Sequence, residues 1–342
     1  MNEMSRELDI PYQTLRWRML NLKELGLSVL PIVDVEKLGL EKVRVFFELT
    51  ADTDNVTPLF GGLHQSAGLR SYARSMYNQI FDCEFAIPRE SFGELSKLLD
   101  KLTELKIVRD AKAYRLHWRD VLMLKTEFYD YNRNEWDIDF SKLTSDPSIQ
   151  MPERNAPVDF DYTDLLMIKD IELDPWIKTV DLASEHDLNV VTASYHINNH
   201  VFEKKLIKSF RLRWIGSKEA WLKHSIIYKT FVFNGISPET SRHAMSVFTS
   251  LPFTWAHMLA DDSSYIAEVT LPVSQYSEAT QYISSKLRKI GLTPSEVLEK
   301  DWSCLSTYTI PYMMYNKDSF SWDLNSERAL QYILQMIESY ST

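Results

Sequence analysis

The stretch NQIFDCEFAIPRESFGEL, from Asn78 to Leu95, decides the fold because the chain repeats it. The second copy, DSSYIAEVTLPVSQYSEA, begins at Asp262, a shift of 184 residues. The segment YNRNEWD recurs as YNKDSFSWD at the same shift, with a two-residue insertion. The aligned pairs include Phe81 with Tyr265, Pro88 with Pro272, Phe92 with Tyr276 and Glu94 with Glu278. Several matches at one offset predict two homologous halves.

Each half shows the same order of predicted elements. The first half has an alternating, β-rich segment over 41–50, a helix over 56–68 that two glycines weaken, and two strands around the Asn78–Gln79 turn. A helix with one apolar face follows over 89–106, and then a last strand. Because the second half repeats this order, we predict an α+β protein with two ferredoxin-like βαββαβ modules, each an antiparallel sheet with two helices on one face.

A helical unit precedes each sheet module. In the second half, three short helices and the basic segment IKSFRLRWIGSKEAWLK (207–223) predict a winged helix-turn-helix. The equivalent unit of the first half lacks its first helix. The segment 141–160 holds three prolines and no apolar period, which predicts a linker. The predicted domains are a winged helix-turn-helix at 1–40, a sheet module with an aromatic arm at 41–140, the linker at 141–160, a second winged helix-turn-helix at 161–221 and a second sheet module with its arm at 222–342.

The composition is that of a folded protein with an acidic surface. The 342 residues are 44% hydrophobic, and the net charge is −10, which argues against a general nucleic-acid coat but not against a local basic face. No apolar run reaches membrane-spanning length and no signal-peptide core is present, so we expect a cytoplasmic protein without membrane contact. Cys83 and Cys304 stand in apolar surroundings without metal-ligand spacing, which indicates buried reduced thiols.

The first helical segment carries a family resemblance. PYQTLRWRMLNLKELG resembles the recognition helix of the Lrp/AsnC transcription regulators at Thr14, Leu15, Arg18, Met19, Leu22 and Gly26. The pair Leu38–Gly39 matches the point where that family crosses from the helical unit to its sheet. The resemblance implies a prokaryotic, sequence-specific regulator that binds double-stranded DNA. It also implies that each βαββαβ module, the RAM domain of that family, serves as the effector and oligomerisation module.

The chain also departs from this family. The G-x-x-D turn that helps to form the family's amino-acid pocket has Gln79 in place of glycine, although Asp82 remains, and the second copy has Ser263 and Ile266. We therefore expect free amino acids to bind poorly and leave a small-molecule effector unidentified. The tandem duplication predicts an intramolecular pseudo-dimer whose modules pair sheet against sheet, and these modules are the expected surface for any homo-oligomer.

Three groups of residues are candidates for DNA contact. By pattern alone the segment 8–30 predicts a solvated amphipathic helix, and the family resemblance favours a recognition helix instead. Its candidate DNA-binding residues are Tyr12, Gln13, Arg16, Trp17 and Arg18. The segment TASYHINNH offers many donors and few charges, and its candidates are Thr192, Ser194, Tyr195, His196, Asn198 and Asn199. The basic segment between Lys204 and Lys223 supplies the phosphate-contact candidates Lys208, Arg211 and Arg213.

Catalytic and metal motifs are weak. His196 and His200 stand four residues apart, as paired zinc ligands do on a helix, but Ile197 occupies the position of the metalloprotease glutamate and no cysteine is near. We therefore predict no metal site. No phosphate-binding glycine loop, Ser-His-Asp order or catalytic cysteine stands out, so we predict no cofactor and no enzymatic activity.

Two alternatives to a regulator remain open. Siroheme decarboxylases resemble the same two-part architecture and act as a pair of homologous subunits, with a tetrapyrrole held between the sheet modules by Arg and His. That resemblance implies roles for Arg70, Arg74, Tyr77 and His257. The second alternative is a protein-interaction module that has lost DNA binding. The aromatic segments that follow both sheets predict arms that cover a sheet or the other half.

Overall fold

The computed structural model describes residues 2–24, 28–50, 56–123, 125–130, 132–133, 135–144, 154–213 and 226–341. The proposed recognition-helix end at Gly26 and most of the basic segment after Arg213 lie outside these residues. The elements of the first half are α1 (Asn2–Glu7), α2 (Tyr12–Glu24), β1 (Ser28–Val33), β2 (Leu40–Leu49), α3 (Val56–Ala67), β3 (Leu69–Ser75), β4 (Ile80–Pro88), α4 (Phe92–Glu104) and β5 (Val108–Val121).

The second half follows after a short aromatic arm. The arm contains the hairpin β6 (Tyr129–Asp130) and β7 (Glu135–Trp136), with 3₁₀ turns at Thr126–Phe128 and Phe140–Lys142. The helical unit comprises α5 (Tyr162–Leu173), α6 (Thr179–Glu185), α7 (Val190–Tyr195), a π-helix (His196–Phe202) and β8 (Ile207–Arg213). The sheet module comprises β9 (Ile226–Phe233), α8 (Pro238–Ser250), β10 (Thr254–Ala260), β11 (Tyr265–Pro272), a 3₁₀ turn (Val273–Gln275), α9 (Tyr276–Lys289) and β12 (Glu296–Thr307). The second arm has a 3₁₀ turn (Tyr312–Met314), β13 (Tyr315–Asn316), β14 (Ser321–Trp322) and the helix α10 (Ser326–Ser341).

Eight strands, four from each half, close into one antiparallel barrel in the order β10-β11-β9-β12-β3-β4-β2-β5. Two junctions join the halves, since β5 pairs with β10 and β3 pairs with β12. The prediction that the two modules pair within one chain is thus confirmed. They join through their strand edges, rather than as two separate stacked sheets, because closure satisfies backbone groups that open edges would leave exposed.

The two aromatic arms cross between the halves. The first arm places Ile138 in the apolar core of the second module and packs Trp136 and Phe140 against that core. The second arm places Met314 and Leu324 in the core of the first module. The Trp322 indole Nε1 donates to the Leu38 carbonyl at 2.5 Å. The expectation that these segments are packing arms is therefore confirmed, and each arm covers the half to which it does not belong.

The helical unit of the second half sits over one end of the barrel. A separate apolar core joins Leu165 and Ile168 of α5 to Val33 of β1, Ile207 of β8 and Leu40 of β2. Strand β8 pairs with β1 of the first half, from Ser28 opposite Arg213 to Val33 opposite Ile207. The expected hairpin wing is thus replaced, in the described residues, by a strand pair between the two halves. No described helix is long and apolar enough to cross a membrane.

Candidate functional site

A cavity of about 700 Å³ lies between the barrel and the layer formed by β1, β8 and α5. Inward-facing barrel positions alternate along each strand, so the filling of the interior can be followed strand by strand. On β2, Phe46 belongs to an apolar cluster with Tyr114 and Leu116, while Arg44 and Lys42 line the cavity. The barrel interior is therefore apolar toward one end and charged toward the other, where the cavity opens.

The cavity is basic although the protein is acidic. Among the described residues that line it, seven are Lys or Arg and four are Asp or Glu, in a chain of net charge −10. The basic residues are Lys42, Arg44, Arg70, Arg119, Lys169, Arg211 and Lys300. The acidic residues are Asp82, Glu84, Glu172 and Glu268. Such a concentration of positive charge in a partly enclosed space favours an anionic ligand.

Arg44 holds the centre of a buried ion-pair cluster. Its Nη2 lies 2.5 Å from Glu268 Oε1, its Nη1 lies 3.3 Å from Glu84 Oε2, and its Nε contacts Asp82. The Lys300 ammonium bridges Asp82 at 2.7 Å and Glu268 at 2.5 Å. Burial alone would raise the pKa of Glu268, but Arg44 and Lys300 hold it well below its ordinary value. The Glu268 carboxylate therefore stays ionised at neutral pH.

Beside this cluster lies Lys42, whose ammonium group has a lowered pKa. Loss of hydration and the neighbouring charge of Arg119 together lower its pKa from 10.5 to about 8, while Glu84 opposes the shift. Arg119 itself is anchored by Glu84, with Nη2 at 2.9 Å from Oε2. Lys42 is thus a cavity group that gains or loses a proton close to neutral pH.

Arg70 connects the barrel to the helical unit at the cavity wall. Its Nη2 lies 2.6 Å from Oε1 of Glu172 in α5. The other oxygen of Glu172 accepts the backbone N–H of Ile310 at 2.6 Å. Burial raises the pKa of Glu172, and Arg70 opposes this rise. This ion pair fixes α5 over the barrel end and places Arg70 at the ligand space.

Arg211 requires a correction. It was a candidate for phosphate contact, but its exposed fraction is 2%, and its guanidinium carbon lies 3.4 Å from the centre of the Trp255 ring. Both residues line the cavity. Because β8 pairs with β1 over the barrel end, this side chain points under the strand pair instead of toward solvent. Arg211 is therefore a cavity residue, and DNA cannot reach it in this arrangement.

His64 is a cavity residue that the sequence analysis missed. Its Nδ1 lies 2.9 Å from the Leu69 carbonyl, which can only accept, so Nδ1 carries the proton and Nε2 is left with a free lone pair. Burial lowers the pKa of His64, which favours the neutral ring. Its ring stacks on Tyr308 at 4.4 Å. A neutral imidazole with Nδ1 held by a carbonyl is a common metal-ligand arrangement. A single histidine in the segment GLHQSAG gives no local signal of this role.

The residues implied by the tetrapyrrole resemblance separate in the structure. Arg70 lines the cavity, whereas Arg74 pairs with Asp301 at 3.0 Å and lines a smaller pocket of about 320 Å³ that also contains Cys304. Tyr77 is 78% exposed. His257 is buried, and its ring centre lies 4.6 Å from that of Trp118, which belongs to the apolar core of the second module. Arg74, Tyr77 and His257 therefore do not share a site with Arg70.

Helix α2 is far more exposed than a core helix. Of its 13 residues, all described, Leu15 is the one that is buried. Trp17 is 63% exposed, although it is large and apolar. The five candidate residues of this helix all face solvent, namely Tyr12, Gln13, Arg16, Trp17 and Arg18. The structure thus leaves their side chains accessible to a partner.

The second group of DNA candidates divides between surface and interior. Tyr195, Asn198 and Asn199 are exposed, and Thr192 and Ser194 are half-buried. His196 turns toward α5, where its Nδ1 lies 2.8 Å from Asp164 Oδ1. Of the basic candidates, Lys208 is exposed on β8, and the side chain of Arg213 lies outside the described residues.

Comparison with known proteins supports the fold. No family model and no curated protein matches the chain. The crystal structure of the siroheme decarboxylase NirDL superposes with a TM-score of 0.55 at 10% identity, covering 100% of this chain and 93% of that chain. The same enzyme in co-complex with an iron-uroporphyrin III analogue gives 0.54 at 11% identity, with 98% and 92% covered.

The regulators of this fold match a part of the chain. AsnC of E. coli gives a TM-score of 0.31 at 15% identity and covers 42% of this chain and 92% of that chain. The structure shows two βαββαβ modules closed into one barrel, each preceded by helices and one strand, with fewer helices in the first half. Because the superposition on NirDL covers the whole chain, the protein is an α+β protein with the tandem Lrp/AsnC-like architecture of NirDL.

Proposed function

We propose that this chain binds an iron tetrapyrrole with several carboxylates in the basic cavity and removes carboxyl groups from it, as a siroheme decarboxylase does. The observation that carries the proposal is the basic cavity itself, enclosed by both halves of the fold that the chain shares with NirDL along its whole length. The volume of 700 Å³ falls in the upper part of the range for small-molecule sites, roughly 300–1,000 Å³. The expected DNA-binding regulator accounts for the exposed α2 but leaves this cavity without a role.

The cavity wall suits a flat macrocycle with an anionic rim. Tyr72, Tyr228, Trp255 and Tyr308 supply aromatic surface along the wall. Arg119 and Arg211 offer planar guanidinium groups, which bind carboxylates in a bidentate manner. His64 presents an unprotonated Nε2, the atom that binds haem-type iron in many proteins. The aromatic residues would contact the ring of such a substrate, the two arginines would bind its carboxylates, and His64 would bind its iron.

The proposed reaction is the loss of CO₂ from an acetate side chain of the substrate. The bond between the methylene carbon and the carboxylate carbon breaks, and its electron pair stays on the methylene carbon. A proton added to that carbon then completes a methyl group, so no oxidant or reductant is consumed. We assign the proton supply to Lys42, whose pKa of about 8 leaves it protonated at neutral pH yet able to donate.

This chemistry needs none of the motifs whose absence led us to predict a non-enzyme. A decarboxylase of this kind requires no nucleophile and no phosphate loop, only enclosure, charge placement and a proton donor. The prediction of a non-enzyme therefore does not weigh against the proposal, because it rested on sequence motifs alone.

The test is a titration of the purified chain with siroheme, followed by incubation. Binding should shift the main absorption band of the tetrapyrrole, and mass spectrometry should detect products that have lost one or two CO₂. His64→Ala should alter the iron spectrum, while His243→Ala, which removes a half-buried histidine of α8 outside the cavity, should leave it unchanged. A chain that neither binds the tetrapyrrole nor releases CO₂ would refute the proposal.

DNA binding is the second candidate function, favoured by the exposed α2. Tyr12, Gln13 and Arg16 near its N-terminal end are placed as recognition-helix donors are in DNA-binding proteins. A pull-down of genomic fragments with the purified chain at moderate salt tests it. Enriched sites that are lost in a Gln13→Ala, Arg16→Ala variant support a regulator. Enrichment of proteins alone would favour the interaction module.

A further inference from the structure

A second constellation of chemical groups lies in the helical unit, away from the cavity. Asp161 and Asp164 come from the start of α5, and His196 and His200 come from the π-helix. One donor atom of each of these four residues lies within 4.8 Å of the others. We propose that these four side chains form a binding site for a divalent transition-metal ion, with Zn²⁺ as the best fit.

Local structure directs all four donors to one point. Asp161 caps α5, its side chain accepting the Asp164 N–H, and Asp164 accepts the Asp161 N–H in return, each at 3.0 Å. This capping box fixes both carboxylates at the same helix end. The histidines lie on a π-helix, a rare conformation that occurs frequently at functional sites. Their ring centres are 5.1 Å apart, so both face α5.

The distances fit a small tetrahedral ion. His196 Nδ1 lies 2.8 Å and His200 Nδ1 lies 3.1 Å from the same oxygen, Asp164 Oδ1, and His196 Nδ1 lies 3.8 Å from Asp161 Oδ1. Bonds of about 2.0–2.2 Å to zinc place tetrahedral donors roughly 3.4 Å apart. The observed separations bracket that value, so shifts of about half an ångström would admit the ion.

The donor set selects the class of metal. Two imidazole nitrogens and two carboxylate oxygens suit Zn²⁺ and its neighbours, whereas Ca²⁺ and Mg²⁺ prefer oxygen ligands throughout. Asp164 is fully buried and Asp161 is partly exposed, which leaves an entry path on one side. Four protein ligands close the coordination sphere, as in structural zinc sites. The ion would therefore clamp α5 to the π-helix rather than carry out hydrolysis.

Sequence spacing alone could not reveal this site. The histidine pair lacks the metalloprotease glutamate, and the two aspartates precede it by more than thirty residues. Folding of α5 against the π-helix brings them together. Tertiary structure therefore supplies the two acidic ligands. The prediction of no metal site considered the two histidines alone.

The test uses the full chain after chelator treatment, titrated with ZnCl₂ and separately with CoCl₂. One ion per chain should bind, and Co²⁺ should give the visible absorption of a tetrahedral site. The His196→Ala, His200→Ala variant should lose about 100-fold or more in affinity. His243→Ala removes a half-buried histidine on α8 that is not part of this group and should bind the ion as the wild type does.

A more conservative variant distinguishes loss of metal binding from loss of folding. Asp161→Asn keeps the side-chain volume and the capping oxygen but removes a charge, so circular dichroism should be unchanged while zinc affinity falls. Absence of bound metal in the wild type, or equal stoichiometry in the double histidine variant, would overturn the proposal. In that case the four residues form a hydrogen-bonded structural cluster only. Siroheme binding is a separate measurement and does not depend on either result.

Discussion

Arg44 shows how duplication produced one site instead of two. At the 184-residue shift its counterpart is Tyr228, and the counterpart of Asp82 is Ile266. Glu84 alone keeps its type, as Glu268. Among the charged residues that line the cavity, six come from the first half and five from the second, and most of them have no charged counterpart in the other half. An asymmetric cavity of this kind suits a ligand that binds once per chain.

Removal of the central cation should destabilise the barrel strongly. Arg44→Met leaves Asp82 and Glu268 buried with Lys300 as their one remaining cationic contact of the cluster. Loss of one partner from a buried ion pair costs about 3–5 kcal/mol in unfolding free energy. The exposed pair of Arg109 and Glu48 provides the control, since Arg109→Met should cost less than about 1 kcal/mol. Urea unfolding measures both, and equal losses would contradict the central role of Arg44.

Lys42 predicts a pH dependence of stability. Its pKa is about 8 in the folded chain and 10.5 when unfolded, so between these values the unfolded state binds more protons and stability rises with pH. The free-energy cost of burying the charged Lys42 ammonium is fully present below pH 8 and absent above pH 10.5. Relative to Lys42→Met, the ligand-free wild type should gain up to about 3 kcal/mol across this window. Parallel stability curves for the two proteins would show that Lys42 titrates normally.

At the scale of elements, helix α3 confirms the helix predicted over 56–68 and shows the role of its two glycines. Gly61 and Gly62 weaken an isolated helix, yet α3 forms over Val56–Ala67 because α10 packs against its glycine face. A Cβ on Gly62 would stand 3.0 Å from Ile333 Cγ1 and 3.1 Å from Ile333 Cα. The glycine permits close approach of the two helices. The C-terminal segment had been assigned to an arm, so its partner helix was not foreseen.

The two glycines offer a matched pair of substitutions. Gly62→Ala should lower the unfolding free energy by about 1–3 kcal/mol, because its methyl group meets the α10 backbone. Gly61→Ala meets Met336 Cε at 3.7 Å, an ordinary contact, and should raise stability by about 0.5–1 kcal/mol through better helix propensity. Thermal unfolding of the two variants checks the signs. Similar effects at both positions would mean that α10 does not depend on this contact.

Elements with local signals were predictable and those that depend on distant pairing were not. The βαββαβ order was visible because apolar periodicity and the repeat are properties of neighbouring residues. The pairing of β8 with β1 joins segments almost 180 residues apart, and nothing in IKSFRLR distinguishes it from half of a hairpin. The placement of Arg211 followed from that pairing, so the sequence indicated surface where the structure has a cavity wall. His64 was missed because a single histidine on a helix gives no local signal that it will line a cavity.

At the scale of the whole molecule, duplication explains why one chain encloses a cavity. Barrel closure needs four strands from each half, and the crossed arms bury Trp136 and Trp322 against the opposite halves. The halves therefore cannot separate without exposing both cores. A site built at their junction keeps a fixed geometry, which pre-organises charges for a ligand or transition state. The same closure leaves α2 outside, free for a partner.

Strand β8 supplies the experiment that separates the two candidate functions. Arg211 faces the cavity over Trp255, while Lys208 on the same strand is exposed. If the cavity holds a tetrapyrrole carboxylate, Arg211→Met should weaken siroheme binding by roughly 10–100-fold, the loss of a charge-assisted hydrogen bond, because Met keeps the packing but not the charge. Lys208→Met should change siroheme binding much less than Arg211→Met, because Lys208 is exposed and acts on the cavity residue Lys42 through its charge alone. If the chain is instead a DNA-binding regulator, Lys208→Met should weaken binding to all DNA sequences and flatten its salt dependence, while Arg211→Met should not. Absorption titrations and DNA anisotropy on the same two variants decide between these patterns. The second pattern, with siroheme binding unaffected by either change, would support a DNA-binding regulator and contradict the proposed decarboxylase.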